Sequence, residues 1–572
     1  MRRAVLVAYG VVLLTVLLTM LSLFPPEPVL SWPEHREYSV IFDAGSSGTR
    51  VHVFNYAHGG TSSYPVVHLP DDQKKTSPGL STLALDDIAL VKSIEPLLKF
   101  AKDKVPSTHW SKTPVHLLAT AGLRMLPKSQ SKEVLKTVRK TFSESGFLFE
   151  DEWASILPGE LEGLYAWAAF NFAAGTLQAL PSASGLPGVR LSAGAAAYGP
   201  PDGSTWGVVE LGGASLQITF LPEAGAVVPG KARHLPLPGL GETMPLYTHS
   251  FLGYGATVAA MRVAGFVQTQ EDKRDPCLPR GYQTEAGITG SGSFLGCRRL
   301  AKRLLPKSAC KHAICSINGE YMPRLAGVFL GTENMFYTAQ RLGLPVGMTA
   351  GLPGAAPEPS GTGKHPVRLR HLMLGSNSSR VQAVKEWAQS APVPLSLKQF
   401  AAAATRFCNM SWQEVKRELI EAQGIAPKYA MKVCFNAAYT SVLLRDAFHV
   451  SESDERVVFS NEVKTAPNGQ PQEVNWVLGA LLLKVLNVTE HRHTTVSQSA
   501  LPLNLSLLII GSAVCVMAIA LICLRCNIAW SFSPFSEGAA EVQLPEGDMA
   551  ASHTESDIQI TVHGKPVTRT SS

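Results

Sequence analysis

The chain has 572 residues, 45% of them hydrophobic and 17% charged, with a formal net charge of +6. So small a charge over this length, with no concentrated basic run, excludes a nucleic-acid-binding signature. The chain is also too long for one simple core, so two lobes are expected.

Arg2 and Arg3 precede an uncharged, mostly apolar stretch from Ala4 to Phe24, long enough to cross a bilayer. The rival reading is a cleaved signal peptide, whose apolar core is normally shorter and ends at small residues. Here the run ends in Phe24-Pro25-Pro26, which favours an uncleaved anchor. A second apolar run, Leu505 to Leu524, stops at Arg525. Arg2, Arg3 and Arg525 belong on the cytosolic side by the positive-inside tendency. Both ends then face the cytosol, and the residues between the spans face the lumen or the exterior.

VIFDAGSSGTRVHVF, Val40 to Phe54, is an apolar run, one acid, a Gly/Ser turn and a period-two apolar run. It reads as strand, tight turn, strand. GVVELGGASLQITF, Gly207 to Phe220, repeats the pattern. The glycines let backbone approach a ligand closely, and the N–H groups of such a turn make an anion site. Two copies facing each other grip a polyphosphate from both sides, flanked by Asp43 and Glu210. Two acids beside phosphates point to a hard divalent cation held through water. One copy alone is more often only a turn, so the duplication carries the reading.

Between the copies, HLLATAGLRML, His116 to Leu126, reads as a strand running into a small-residue turn in which Thr120, Ala121 and Gly122 reach a bound anion. Taken alone it is a buried strand end. In ILPGELEGLYAWAAFNF, Ile156 to Phe172, Pro158 and Gly159 break the chain, and Leu164, Trp167, Ala168 and Phe172 follow helical spacing. Glu160 and Glu162 sit at the start of that helix, where acids are commonly dipole partners.

Six of the nine cysteines lie between the two apolar runs: Cys277, Cys297, Cys310, Cys315, Cys408 and Cys434. In an oxidising compartment they read as three disulfides. A zinc cluster of the first four is the alternative, and the topology favours disulfides. Asn377, Asn409, Asn487 and Asn504 each begin an N-x-S/T acceptor on the outer side, with Asn504 close to the membrane. Ala183–Ser204 and Thr349–Pro366 read as loops. GTGK at Gly361–Lys364 lacks the first glycine and the final Ser/Thr of a P-loop. The polar tail to Ser572 lacks periodicity and reads as disordered.

DAGSSGTR, ATAGLRML, GELEGLYAW and ELGGASLQITF, with VNWVLGALL at Val474 to Leu482 as a fifth, resemble in order the characteristic regions of the ecto-nucleoside triphosphate diphosphohydrolases, the apyrase family. The resemblance covers Tyr38 to Val488. It implies an α/β fold with two related actin/hexokinase-like (ribonuclease H-like) lobes around a cleft, flanked here by two transmembrane helices. The implied division is 1–3 cytosolic, 4–24 membrane, 38–175 first lobe, 176–452 second lobe, 453–490 a return segment completing the first lobe, 505–524 membrane and 525–572 cytosolic tail. The implied activity is hydrolysis of terminal phosphates from nucleoside tri- and/or diphosphates, with Mg²⁺ or Ca²⁺. The implied partners are the nucleotide and the lipid bilayer, with the two spans as candidate surfaces for a homo-oligomer. A non-catalytic membrane receptor of the same fold and an exopolyphosphatase-like phosphohydrolase are the alternatives.

The resemblance also implies roles. Glu162 is the catalytic base, expected to be surface-like and ionised at neutral pH, and Ser215 helps hold the attacking water. Gly45, Ser46, Ser47, Gly48 and Thr49 cradle one end of the phosphate chain, and Gly212, Gly213 and Ala214 the other. Asp43, Glu210, Gln217, Thr120 and Trp476 surround a hydrated metal, Thr120 also reaching phosphate. Tyr337, in FLGTENMFYTAQRLGL, is the candidate for the base, with Phe336 beside it. The implied disulfides are Cys277–Cys297, Cys310–Cys315 and Cys408–Cys434. Two positions depart from the family: Glu210 stands where Asp is usual, and Gly48 where many cell-surface members have His.

Overall fold

The computed structural model describes residues 36–57, 64–179, 205–223, 225–226, 232–236, 243–306, 310–347, 395–464 and 471–486. The chain divides into two units. Leu30–Thr494 holds every described residue. Met1–Val29 with Thr495–Ser572 holds both expected spans, which therefore lie outside the described residues, as do Asn377, Asn487, Asn504 and Gly361–Lys364. Among the described residues no helix is long and apolar enough to cross a membrane.

The first sheet is built around β1 (Glu37–Ala44) and β2 (Thr49–Ala57), the antiparallel hairpin expected from the first Gly/Ser turn. Beyond β2 lie β3 (Val66–Val67) and β4 (Asp72–Thr76), both antiparallel to it. On the other side β5 (Val115–Ala119) runs parallel to β1, and β6 (Ala154–Ile156) parallel to β5. Helices α1 (Asp87–Lys104) and α3 (Lys128–Ser143) cover one face, where Val40, Phe42, Leu117, Ile94, Val138 and Phe142 form a core. A short helix, α2 (Ala121–Arg124), follows β5 directly.

The second sheet repeats this plan. β7 (Gly207–Leu211) and β8 (Ser215–Phe220) are the second hairpin. β9 (Arg233–Pro236) and β10 (Thr243–Leu252) extend it on the β8 side. β11 (Phe329–Glu333) runs parallel to β7, and β12 (Val457–Phe459) parallel to β11. In each sheet a hairpin is flanked by antiparallel strands on one side and two parallel strands on the other, so the duplicated loop belongs to a duplicated half-fold. Helices α5 (Ala256–Gln268), α6 (Phe294–Lys302), α7 (Asn334–Arg341), α8 (Leu397–Cys408) and α9 (Val433–Val442) build the core of this half. Cys277–Cys297 and Cys408–Cys434 staple it, and Cys310–Cys315 closes a short loop. Asn409 is exposed just past α8.

Helix α4 (Gly159–Ala173) differs from its expected place within the first lobe. It packs against β7, β8 and β10, and its residues share one apolar cluster with Ile41 and Leu118 of the first sheet, Leu157 just past β6, and Val208, Leu330 and Val458 of the second. Its sequence is apolar on nearly every side, which suits a helix enclosed between layers. The return segment 453–490 is likewise shared. Val457–Phe459 joins the second sheet as β12, and α10 (Trp476–Ala480) packs on α4. Gly479 allows that crossing, because a Cβ there would overlap the Tyr165 carbonyl.

Candidate active site

The two hairpin turns meet across one cavity. It is lined by Gly45, Ser46, Ser47 and Gly48 from the first turn and Gly212, Gly213, Ala214 and Ser215 from the second. Asp43, Thr120, Ala121, Glu162, Glu210 and Trp476 complete the part anticipated from the sequence. The turns approach closely: a Cβ added to Gly213 would sit 2.5 Å from Ser46 Oγ. Register explains why one acid comes from each half. Asp43 lies opposite Arg50 in the first hairpin and Glu210 opposite Gln217 in the second, each just before its turn.

Glu162 is in the first turn of α4 and is buried, at 7% exposure. This corrects the expectation of a surface-like, fully ionised base. Burial pushes its carboxyl up to about 7, opposed by the Arg124 guanidinium and reinforced by Asp43 and Glu333. Enclosure of α4 between the sheets is the cause. Arg124, at the end of α2, forms an ion pair with Glu162 and lies 3.4 Å from Ser215 Oγ. Gln217 Nε2 donates to Glu162 Oε2 at 3.2 Å, to Ser215 Oγ at 2.6 Å and to Ser250 Oγ at 3.1 Å. The candidate base and the serine beside it are thus fixed by a common network.

Burial also raises Asp43, Glu210 and Glu333 above their ordinary values; repulsion from neighbouring carboxylates adds to it at Glu210 and Glu333, whereas His52, Arg50 and Lys75 oppose it at Asp43. Asp43 Oδ1, Glu210 Oε2 and Gln217 Oε1 are buried acceptors with no hydrogen-bond partner. Crowded acids and orphaned acceptors are the surroundings a divalent cation satisfies. Among the described residues no three His, Cys, Asp or Glu side chains cluster tightly enough to hold a metal directly. The donor set therefore suits a cation held largely through water, with Trp476, 4% exposed, walling the same space.

Gly122, Thr49, Gln217 and Tyr337, all anticipated, are not in the cavity lining, and Gly122 is buried in α2. Thr49 is fully buried in β2. Gln217 stands behind Glu162 and Ser215 and acts on them. Tyr337, on α7, hydrogen-bonds Asn461, and its hydroxyl is pushed up to about 12 by burial and by Glu333 and Glu473. Conversely, Arg50, Lys75, Glu333 and Asn475 line the cavity without having been singled out. Glu333 had a legible signal, since β11 ends on an acid as β1 and β7 nearly do. Its backbone has φ 55° and ψ −120°, and its N–H is held by Asn461 Oδ1 at 2.7 Å. A positive φ at a non-glycine residue is uncommon and collects at functional sites.

The profile of the GDA1/CD39 (nucleoside phosphatase) family matches residues 29–348 and 371–498. Probable apyrase 5 of Arabidopsis thaliana is 30% identical over 478 residues, covering 78% of this chain and 82% of that protein. Ectonucleoside triphosphate diphosphohydrolase 5 of Ailuropoda melanoleuca is 35% identical over 254 residues, covering 43% of this chain and 54% of that protein. A crystal structure of nucleoside triphosphate hydrolases from Neospora caninum superposes with a TM-score of 0.54 at 17% identity, covering 80% of this chain and 94% of that one. That likeness carries the fold, an α/β actin-like pair of lobes.

Proposed function

From the premise that this chain belongs to the GDA1/CD39 (nucleoside phosphatase) family and is a hydrolase, we propose a membrane-anchored apyrase-type nucleotidase. It removes the terminal phosphate of nucleoside tri- and diphosphates in the lumen or the extracellular space. The observation that carries this reading is the buried Glu162 carboxylate standing in a cavity walled by the two facing Gly/Ser turns.

In this mechanism the N–H groups of residues 45–48 and 213–214 hold the phosphate chain from both sides, while Gly212 closes the second turn by donating to the Ser215 carbonyl. Arg124 and Gln217 fix the Glu162 carboxylate, and Ser215 Oγ orients a water beside it. Glu162 takes a proton from that water as its oxygen bonds to the terminal phosphorus. The P–O bond to the rest of the nucleotide breaks, and the electron pair leaves with the nucleotide. A value near 7 suits a general base working at neutral pH. A hydrated divalent cation, Mg²⁺ or Ca²⁺, between Asp43 and Glu210 would supply neutralisation of the phosphate charge. Phosphoryl transfer asks mainly for positioning and charge, and the site has no need of a covalent intermediate.

The anchored, non-cytosolic setting draws support from the two terminal apolar runs and the three disulfides. The exposed Asn409 acceptor fits the same setting. Phosphate release from ATP, ADP, UTP and UDP, with Mg²⁺ or Ca²⁺ and with EDTA, tests the activity. Either cation should support turnover and chelator should abolish it. Full activity in excess EDTA would refute the metal-assisted reading. For the topology, tags at both ends should become reachable only after permeabilisation of cells. A C-terminal tag detected on intact cells refutes two spans.

A further inference from the structure

The cavity contains two cations to which the mechanism above gives no role, Arg50 and Lys75. They are cross-strand partners, Arg50 on β2 opposite Lys75 on β4, and so point to the same face of the first sheet. Arg50 is half-buried and already faces the charges of Glu333, Asp43 and Glu473. Lys75 is exposed, and among the described residues it forms no ion pair.

The stem of Lys75 lies across the phosphate turn. A Cβ added to Gly48 would overlap the Thr76 carbonyl oxygen and come 2.7 Å from Lys75 Cε and 3.0 Å from Ser77 Oγ. The missing side chain at residue 48 therefore lets both the β4 backbone and the Lys75 stem lie close against the turn. Its position along the cavity follows from the turn it crosses. Lys75 lies against Gly48 of the first turn, whereas the candidate base is held from the second hairpin by Gln217, which also holds Ser215. Lys75 therefore stands by the first turn, and the base and its water by the second.

We propose that Lys75 is a substrate contact whose ammonium binds the phosphate that stays on the nucleotide after cleavage. The inference rests on the nucleotidase reading above. As the P–O bond breaks, negative charge gathers on that departing phosphate. An ammonium already in place meets the charge without delivering a proton, because a nucleotide phosphate is a weak base at neutral pH. Arg124 and Lys75 then divide the work, one steadying the base and the other the leaving group.

The test uses the full chain in detergent with Mg²⁺ and the nucleotide that the wild-type protein cleaves best. Lys75→Met keeps a stem of similar length over Gly48 and removes only the charge, and Lys75→Gln is a second neutral variant. Both are expected to lose about ten- to a hundredfold in kcat/KM, mainly through kcat, with an unchanged unfolding midpoint. Lys75→Arg should return to within about fivefold of wild type, because it restores the positive charge. A neutral variant within twofold of wild type overturns the proposal. So does a loss that Lys75→Arg does not repair, or one accounted for by a lowered midpoint. A wild-type protein inactive on every nucleotide fails the nucleotidase reading instead, which separates the two failures.

Discussion

Replacing Glu162 by Gln preserves the shape of the side chain and removes its basicity, and the structure predicts opposite effects on turnover and stability. A general base contributes on the order of two to four decades of rate, so turnover should fall by about that much. Stability should move the other way. The Glu162 carboxyl rises from an ordinary 4.5 to about 7 in the folded chain, chiefly through burial. A raised carboxylate pKa means that the folded protein keeps a proton the unfolded chain releases. The folded state is therefore penalised progressively as pH climbs from 4.5, and fully above 7. That shift corresponds to on the order of 3 kcal/mol. Denaturant unfolding in EDTA should then find Glu162→Gln more stable than wild type at pH 8 and close to it at pH 4.5. Phosphate release with Mg²⁺ is measured on the same preparations. A variant keeping more than about a tenth of wild-type turnover would remove Glu162 from the role of base. A variant destabilised equally at both pH values would reduce Glu162 to a structural partner of Arg124.

Two further expectations follow from buried groups. Glu210→Asp should stay within about tenfold of wild-type turnover, roughly 1.4 kcal/mol in the barrier, because contact through water tolerates a shorter arm. Glu210→Ala should lose far more turnover while holding or gaining stability in EDTA, since it relieves repulsion from Glu162, Glu333 and Asp43. An Ala variant fully active per folded molecule would refute the metal role of Glu210. His116, 4% exposed and stacked 4.6 Å from Trp153, is held neutral by burial and by Lys484, its pKa lowered from 6.5 to about 3. The unfolded chain takes up that proton below 6.5 and the folded chain refuses it, so stability should fall as pH drops between 6.5 and 3. The effect is about 2 kcal/mol at pH 5. His116→Phe should lose that much less stability than wild type between pH 7 and pH 5 in denaturant titrations; equal losses would contradict the assignment.

What was legible in the sequence was local. Val40–Phe54 and Gly207–Phe220 carry strand periodicity around glycines that only a turn accommodates, and both fold as hairpins. Pro158 and Gly159 mark the start of α4 correctly. The environment of Glu162 was not legible, because the local pattern of a helix start says nothing about which sheets close over it. Arg124 was in view within its motif, yet its partner is 38 residues away. Lys75 and Arg50 become neighbours only through pairing of β2 with β4. The family resemblance places the short strand β12 in the segment that completes the first half, whereas its buried Val457, Val458 and Phe459 join the second sheet.

The shared position of α4 also bears on how the protein can be cut. The two halves repeat one topology and look like modules that ancestral fusion would join. They are nevertheless not separable at residue 175. A fragment ending there would leave Trp167 and Phe170, at 0% and 2% exposure in the whole chain, without the strands of the second sheet that cover α4. A fragment beginning at residue 176 would have β8 and β10 bare over the same area. Each piece would carry an apolar surface of the kind that drives aggregation. Minimal expression units, split reporters and circular permutants of this protein should therefore keep residues 159–173 tethered to both sheets, with new ends placed in surface loops.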